Sequence, residues 1–410
     1  MKKILLIISF FILSINLIKP DTTINIANLN IDINKNLISK TQTKKNKLLI
    51  LYLKGGNGHI EACNKFKECF PDFEIKEINP VLMFFNNKID FEKHYISIFQ
   101  KGWTGTLNFV ANYLGTLFFK ASSRFFKKKL IKMLEEEKPD LLISVMPFIN
   151  YPAIQAAQAL NIPFLLMTLD ADLTNWLLDM EKIKNKNFII TVPIMTDRIK
   201  KQLSKKNIPD PAIQEVGFHL REDFLMPKNL VEIRKEWNIP ENKPVIMLMR
   251  GGTGSTRLVN YAQELVKINK DIHVLVCIGT DKTLEKKINA IKTDGHVSFS
   301  VIPFTKKISD LMAVSDLLIT QPSPTVCNEA MFMNLPILID LAANCFSWEV
   351  ATIDWIKARG HGDVFTHMNQ LNKLVLEYLD KKDFFKSQPS TTNIIFKEQI
   401  QSIISQILEH

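Results

Sequence analysis

From residue 47 onward the chain alternates short apolar runs with longer amphipathic stretches, and it does so in two successive series. The first series has strand-like runs at 48–53, 73–78, 141–145, 164–168, 188–192 and 215–217. The segment GFHLREDFLMPKN follows, and a second series opens with runs at 245–249, 274–278, 298–302, 317–320 and 337–340. Helix-like stretches lie between them, among them 256–267 and 325–333. Strands that alternate with helices expect parallel sheets. Two such series in 410 residues expect two doubly wound α/β domains of Rossmann-like type, with the boundary within 221–229. We place the domains at 47–222 and 223–390, with a further amphipathic helix near the C-terminus, at 393–408 within 391–410.

The ends of the chain behave differently. Residues 1–20, MKKILLIISFFILSINLIKP, have a basic start and an apolar run from 4 to 18. That run is short of the ~20 residues a spanning helix needs. It lacks an A-x-A-like cleavage site. The reading is a signal-like leader or an uncleaved membrane anchor, and lysines on both sides leave its orientation open. Residues 21–46 are polar and Asn-rich and read as a linker.

The formal net charge of +10 suits an anionic membrane, a nucleotide or a nucleic acid, and equally a lysine-rich coding bias. No nucleic-acid-binding signature is present, so nucleic acid is set aside as a partner. The five cysteines are odd in number and form no C-x-x-C, which argues against disulfide and metal frameworks. They read as small buried residues. Residues 100–138 mix aromatics with a lysine cluster at 127–129. This stretch is either an interfacial membrane helix or a core helix with a solvated basic end.

Three motifs carry chemistry. The first is LLILYLKGGNGHIEACNKF, where Gly55, Gly56 and Gly58 follow a strand and adjoin His59. Glycines there allow close backbone approach. A helix starting at residue 60 would point its free N–H groups into the crevice at the sheet edge. His59, in its first turn, is a candidate general base. The motif misses the dinucleotide fingerprint G-x-G-x-x-G, which disfavours NAD. The second is VIMLMRGGTGSTRLVNYAQEL. Gly251, Gly252 and Gly254 free the backbone to wrap a phosphate, Thr253, Ser255 and Thr256 add hydroxyl donors, and Arg250 and Arg257 supply charge. No G-K-[ST] follows, so it is not a Walker A loop. The third is SDLLITQPSPTVCNEAMFMNLPILID, which sets Glu329 about one turn into a helix, where a carboxylate can accept both hydroxyls of a ribose. Downstream, Asn344, Ser347, Trp348 and Glu349 are placed to hold a sugar. Asp170-Ala171-Asp172 competes as a metal–nucleotide ligand pair, a triplet that is also common by chance.

Taken together, these segments resemble the two-domain glycosyltransferases that include monogalactosyldiacylglycerol synthase and the processive diacylglycerol glucosyltransferases. The peptidoglycan lipid-intermediate N-acetylglucosaminyltransferase is a more distant relative. The resemblance spans roughly residues 47–365 and rests on GGNGHIEA, KPDLLISVMPFINYPAIQA, FLLMTLDADLTNW, QEVGFHLREDF, the second glycine loop and SWEVATIDWIKARGHG, in that order. It implies the GT-B arrangement, two domains facing across a cleft. The 302–305 loop, with Phe304, would hold uracil; Gly252, Thr253, Gly254 and Ser255 would contact the diphosphate; and Glu329 would bind the ribose. His59 and the first glycine loop would face the acceptor. No metal and no cofactor beyond the UDP-sugar co-substrate are implied.

The chain departs from the family at Ser323-Pro324, where a glycine pair is usual, at Trp348-Glu349, where the family has Gln-Glu, and at His219, which replaces a crossover proline. The expected activity is inverting, metal-independent transfer of a hexose from a UDP-sugar to a membrane lipid such as diacylglycerol. The expected location is a membrane surface with the catalytic domains in the cytoplasm, and export stays open. The alternatives are transfer to a polyprenyl-linked lipid, and a non-catalytic lipid- or nucleotide-binding protein with a decayed donor site.

Overall fold

The structure, a computed structural model, describes residues 45–53, 57–84, 104–252, 254–343, 345–387 and 396–409. The leader, nearly all of the linker, Gly55, Gly56, Thr253 and Asn344 lie outside them.

The first series forms β1 (Lys47–Leu51), β2 (Glu74–Ile78), β3 (Leu141–Ser144), β4 (Phe164–Met167), β5 (Ile189–Val192) and β6 (Ile213–Glu215). The second forms β7 (Val245–Met249), β8 (Ile272–Gly279), β9 (Val297–Pro303), β10 (Leu317–Thr320), β11 (Ile337–Asp340) and β12 (Gly362–Phe365). Each set makes one six-stranded sheet, in the orders β2-β1-β3-β4-β5-β6 and β12-β11-β10-β7-β8-β9. Every pairing is parallel.

Unbroken apolar runs are what such sheets require, because helices cover both faces. In β1, Leu49 and Leu51 enter one core and Leu48 and Ile50 the other. In β7, Val245, Met247 and Met249 face one core and Ile246 and Leu248 the opposite one.

One strand expectation is corrected, and one strand was not anticipated. The run at 215–217 is not a strand, because Gly217 takes φ +75 and turns the chain; β6 ends at Glu215. And β12 carried no legible signal: GDVF is short and half polar. Its glycine is a close-approach residue, since a Cβ on Gly362 would come within 2.2 Å of the Ile337 carbonyl oxygen on the neighbouring strand.

The helix Phe396–Glu409 does not stay with the domain that precedes it. Phe396, Ile400, Ile403 and Ile404 pack on Leu48, Ile50, Ala62 and Phe66 of the first domain. The Gln401 amide donates to the Cys69 carbonyl at 2.8 Å. In the crossover, Phe218 and Leu220 already belong to the second core, and the Phe218 ring stacks on Trp355 at 4.8 Å. All five cysteines are free; four are buried and Cys345 is half-buried.

Candidate active site

In open parallel sheets ligands bind beyond the carboxyl ends of the strands, where the strand order reverses. Those points lie between β1 and β3 in the first sheet and between β7 and β10 in the second. The second glycine loop follows β7 and so sits at a switch point; at the other switch point, the helix that opens with Asn57, Gly58 and His59 follows β1.

On the first side, the helix Asn57–Cys69 begins three residues earlier than the sequence suggests, which places Gly58 and His59 inside its first turn. The chain leaving β3 is held in an unusual shape: Phe148 has φ +75, a value uncommon for a bulky residue and one that marks a locally over-determined site. Its N–H donates to the Asn175 carbonyl at 2.8 Å, and its ring stacks on Phe119 at 5.2 Å. Asp170 and Asp172 are engaged by the protein itself. Asp172 accepts from Arg198 at 3.1 Å, Gln202 at 3.0 Å and the Thr174 N–H at 2.9 Å. Asp170 accepts from the Trp176 indole at 2.7 Å. Among the described residues no group of three or more His, Cys, Asp or Glu could hold a metal ion.

On the second side, the loop after β7 is pressed against the end of β8. Gly254 (φ +74) and Gly279 (φ +58) allow this: a Cβ on Gly254 would lie 2.1 Å from the Ile278 carbonyl oxygen, and one on Gly279 would lie 2.3 Å from that of Gly252. The Thr280 N–H bonds to the Gly252 carbonyl at 3.1 Å. Ser255 is buried, and its hydroxyl accepts from the Arg257 N–H at 3.3 Å, at the start of the helix Arg257–Leu265.

Behind the loop lies a charged network. Asp340, at the end of β11, accepts from Arg257 Nε at 2.8 Å, from the Tyr261 hydroxyl at 2.6 Å and from Arg250 Nη1 at 3.4 Å; Arg250 Nη1 also donates to Tyr261 at 2.6 Å. Burial works to raise the Asp340 carboxyl, but its hydrogen bonds from Arg257 and Tyr261 and the two guanidinium charges outweigh it and hold it below its ordinary value.

Glu329 is buried in the helix Pro324–Phe332 and accepts from Arg221 Nε of the crossover at 2.8 Å. Pro324 is the first residue of that helix, where its missing N–H leaves no bond unmade, so Ser323-Pro324 starts the helix without distorting it. Phe304 is half exposed at the end of β9, and its N–H donates to the Gly279 carbonyl at 3.0 Å. His219 is buried beside Phe396, and burial pushes its imidazole down to about 4, so it is neutral at physiological pH.

The turn holding Ser347, Trp348 and Glu349 reaches the first domain. Asn112 donates to the Ser347 hydroxyl at 2.7 Å, the Ser347 N–H donates to the Asn108 side chain at 3.1 Å, and Asn108 donates to the Cys345 carbonyl at 2.8 Å. Trp348 stacks on Phe346 at 4.6 Å. Glu349 is buried, and its carboxyl is pushed up to about 8, first by burial and then by the charge of Asp170, with Arg250 opposing. Asp170 itself is pushed up to about 6 by burial, against its hydrogen bond from Trp176. Glu349, in the second domain, thus feels the charge of Asp170 in the first. Sequence reading weighed Asp170 as a metal ligand against a chance triplet, and within the stretch FLLMTLDADLTNW that carries the resemblance; its position at the carboxyl end of a strand is the signal for a site residue.

No protein-family model matches the chain. It is 22% identical, over 313 residues that cover 72% of this chain and 76% of the relative, to a processive diacylglycerol beta-glucosyltransferase of Bacillus thuringiensis (strain Al Hakam), and equally to that of Bacillus cereus (strain AH187). Among solved structures it is similar to Acinetobacter baumannii MurG (TM-score 0.55, 12% identity, 88% of this chain and 99% of that one). It is also similar to the UDP-GlcNAc 2-epimerase of Neisseria meningitidis bound to UDP-GlcNAc (TM-score 0.57, 13% identity, 89% and 100%). The same holds for the glycotransferase of kitacinnamycin (TM-score 0.58, 12% identity, 89% and 100%). These structural likenesses establish the GT-B fold, which transferases and epimerases share.

Proposed function

We propose that this chain, a GT-B protein and a distant homologue of the processive diacylglycerol beta-glucosyltransferases, is a UDP-sugar-dependent glycosyltransferase that moves a hexose to a membrane lipid, with diacylglycerol the first choice of acceptor. The observation that carries this reading is the second glycine loop at the switch point of one sheet and, following β1 at the switch point of the other, the helix whose first turn carries His59. The loop is backed by the Arg250–Arg257–Asp340 network and suits a diphosphate.

In the reaction, the acceptor hydroxyl oxygen attacks the anomeric carbon as the bond to the UDP oxygen breaks, inverting the configuration. His59 takes the hydroxyl proton, a role worth about 10²–10⁴ in rate. Asp170 is the carboxylate that would serve if His59 does not. The negative charge that develops on UDP falls on the backbone amides of Gly252, Gly254 and Ser255 and on the start of the helix Arg257–Leu265. Glu329 is the ribose partner, Phe304 the base partner, and Ser347, Trp348 and Glu349 lie at the sugar end.

Contact with the bilayer is assigned to the helical segment spanning Thr104–Phe109, Val110–Gly115 and Thr116–Ala121, where Phe109, Tyr113 and Leu117 recur every fourth residue and stand 49, 68 and 66% exposed. Among the described residues no helix is long and apolar enough to cross a membrane. The leader, residues 1–20, lies outside them.

The test measures UDP release from UDP-glucose, UDP-galactose and UDP-N-acetylglucosamine, with vesicles containing diacylglycerol or a polyprenyl phosphate. We expect release with a UDP-hexose, stimulated by diacylglycerol and lost in His59→Ala while UDP binding persists. Stimulation by polyprenyl phosphate alone would reassign the acceptor. No release with any donor would overturn the reading and favour a decayed binding module.

A further inference from the structure

The network behind the second glycine loop is unbalanced. Arg250 and Arg257 share the single carboxylate of Asp340, at 3.4 and 2.8 Å. Tyr261, the fourth member, stays neutral, because burial pushes its phenol further up. Arg257 is the better paired of the two, with Nε and Nη2 both directed at Asp340. Arg250 is only 5% exposed, sends Nη1 alone into the network, and leaves Nε buried with no acceptor among the described residues. The other carboxylate that feels Arg250 is Glu349, and among the described residues no ion pair joins the two. A buried guanidinium with an unmet donor is costly and marks a place where an acceptor belongs. Arg250 itself immediately precedes Gly251 of the loop at the switch point.

We propose that Arg250 is an anion-binding residue for the donor diphosphate, its charge left uncompensated by the protein's own carboxylates so that a nucleoside diphosphate completes it, with Arg257 and Asp340 as positioning residues that hold the guanidinium. This rests on the donor reading above and adds a ligand to it. It also carries a consequence for the empty protein. Removing Arg250 leaves Asp340 still paired with Arg257 and Tyr261 and takes away an unbalanced buried charge, so the unliganded chain does not lose stability.

The test compares wild type, Arg250→Met and Arg250→Lys by calorimetric binding of UDP, uridine and inorganic pyrophosphate, together with the melting temperature of each unliganded chain. Arg250→Met is expected to weaken UDP and pyrophosphate about tenfold to a hundredfold, the range for a hydrogen bond to a charged group. It is expected to leave uridine within about twofold and the unliganded melting temperature equal or higher. Arg250→Lys, which keeps the charge and loses the fork, falls between. Unchanged UDP affinity in Arg250→Met would overturn the proposal and leave the donor reading standing. So would equal losses for UDP and uridine with a lowered melting temperature, which is the signature of a structural role. A wild-type chain that binds pyrophosphate through Arg250 but not UDP would keep the anion site and overturn the donor reading. Binding of neither ligand would overturn both.

Discussion

Glu349 shows how position changes a single side chain. In water a glutamate is ionised at neutral pH; here burial and the neighbouring charge of Asp170 push it up to about 8 from 4.5. The consequence for stability has a definite sign. Below pH 4.5 the carboxyl is neutral in both folded and unfolded chains and nothing is lost. Between 4.5 and about 8 the unfolded chain releases the proton while the folded chain holds it, so stability declines as pH rises, and the loss is complete above that window. Glu349→Gln is neutral throughout. Its melting temperature relative to wild type is therefore expected to rise between pH 5 and pH 8.5, and a difference that stays constant over that range would contradict the assignment. Residue identity made Glu349 a candidate for sugar contact. The proton it keeps was not legible, because it depends on burial in the folded chain and on Asp170, 179 positions away in the sequence.

At the scale of elements, the segment 104–121 repays the most attention. Its middle turn, Val110–Gly115, is π-helical, a shape that is rare and favoured at functional sites. Asn108 and Asn112 reach the turn that carries Ser347, while Phe109, Tyr113 and Leu117 are left in the open. One element therefore joins the cleft to an exposed apolar stripe. Replacing Phe109, Tyr113 and Leu117 together by Ser is expected to weaken binding to anionic vesicles by about tenfold or more, because the stripe is the part that would enter the interface. The melting temperature should hardly move, because surface changes of this kind usually fall within about 0.5 kcal/mol each. Cosedimentation with vesicles measures the first and thermal unfolding the second; vesicle binding that survives the triple change would place the contact elsewhere. Sequence reading could not choose between a core helix and an interfacial one here. Phe118 and Phe126 are buried while the stripe is exposed, so the segment carries a core face and an open apolar face.

At the scale of the molecule, the C-terminal helix ties the chain's last residues to its first domain. Ile400 and Ile404 are fully buried against β1 and the helix that carries His59. Ile400→Asp with Ile404→Asp would bury two charges without partners, and a loss on the order of 3 kcal/mol or more is expected in denaturant unfolding. Near-normal stability would mean that the helix is not the cover it forms here.

The sequence alone determined the two parallel α/β sheets, the places of most of their strands along the chain and the places where glycine loops follow them. Those features arise from local periodicity and from backbone freedom at single residues, which are written within a few positions of each other. Tertiary structure decided what the chemistry depends on. It brought Asp170 near Glu349, set Arg250 beside an already shared Asp340, tied Asn108 and Asn112 to the Ser347 turn and returned the last helix to the first sheet. Charge and burial act through distance in space, and residues far apart in the chain carry no record of that distance until the sheets have formed.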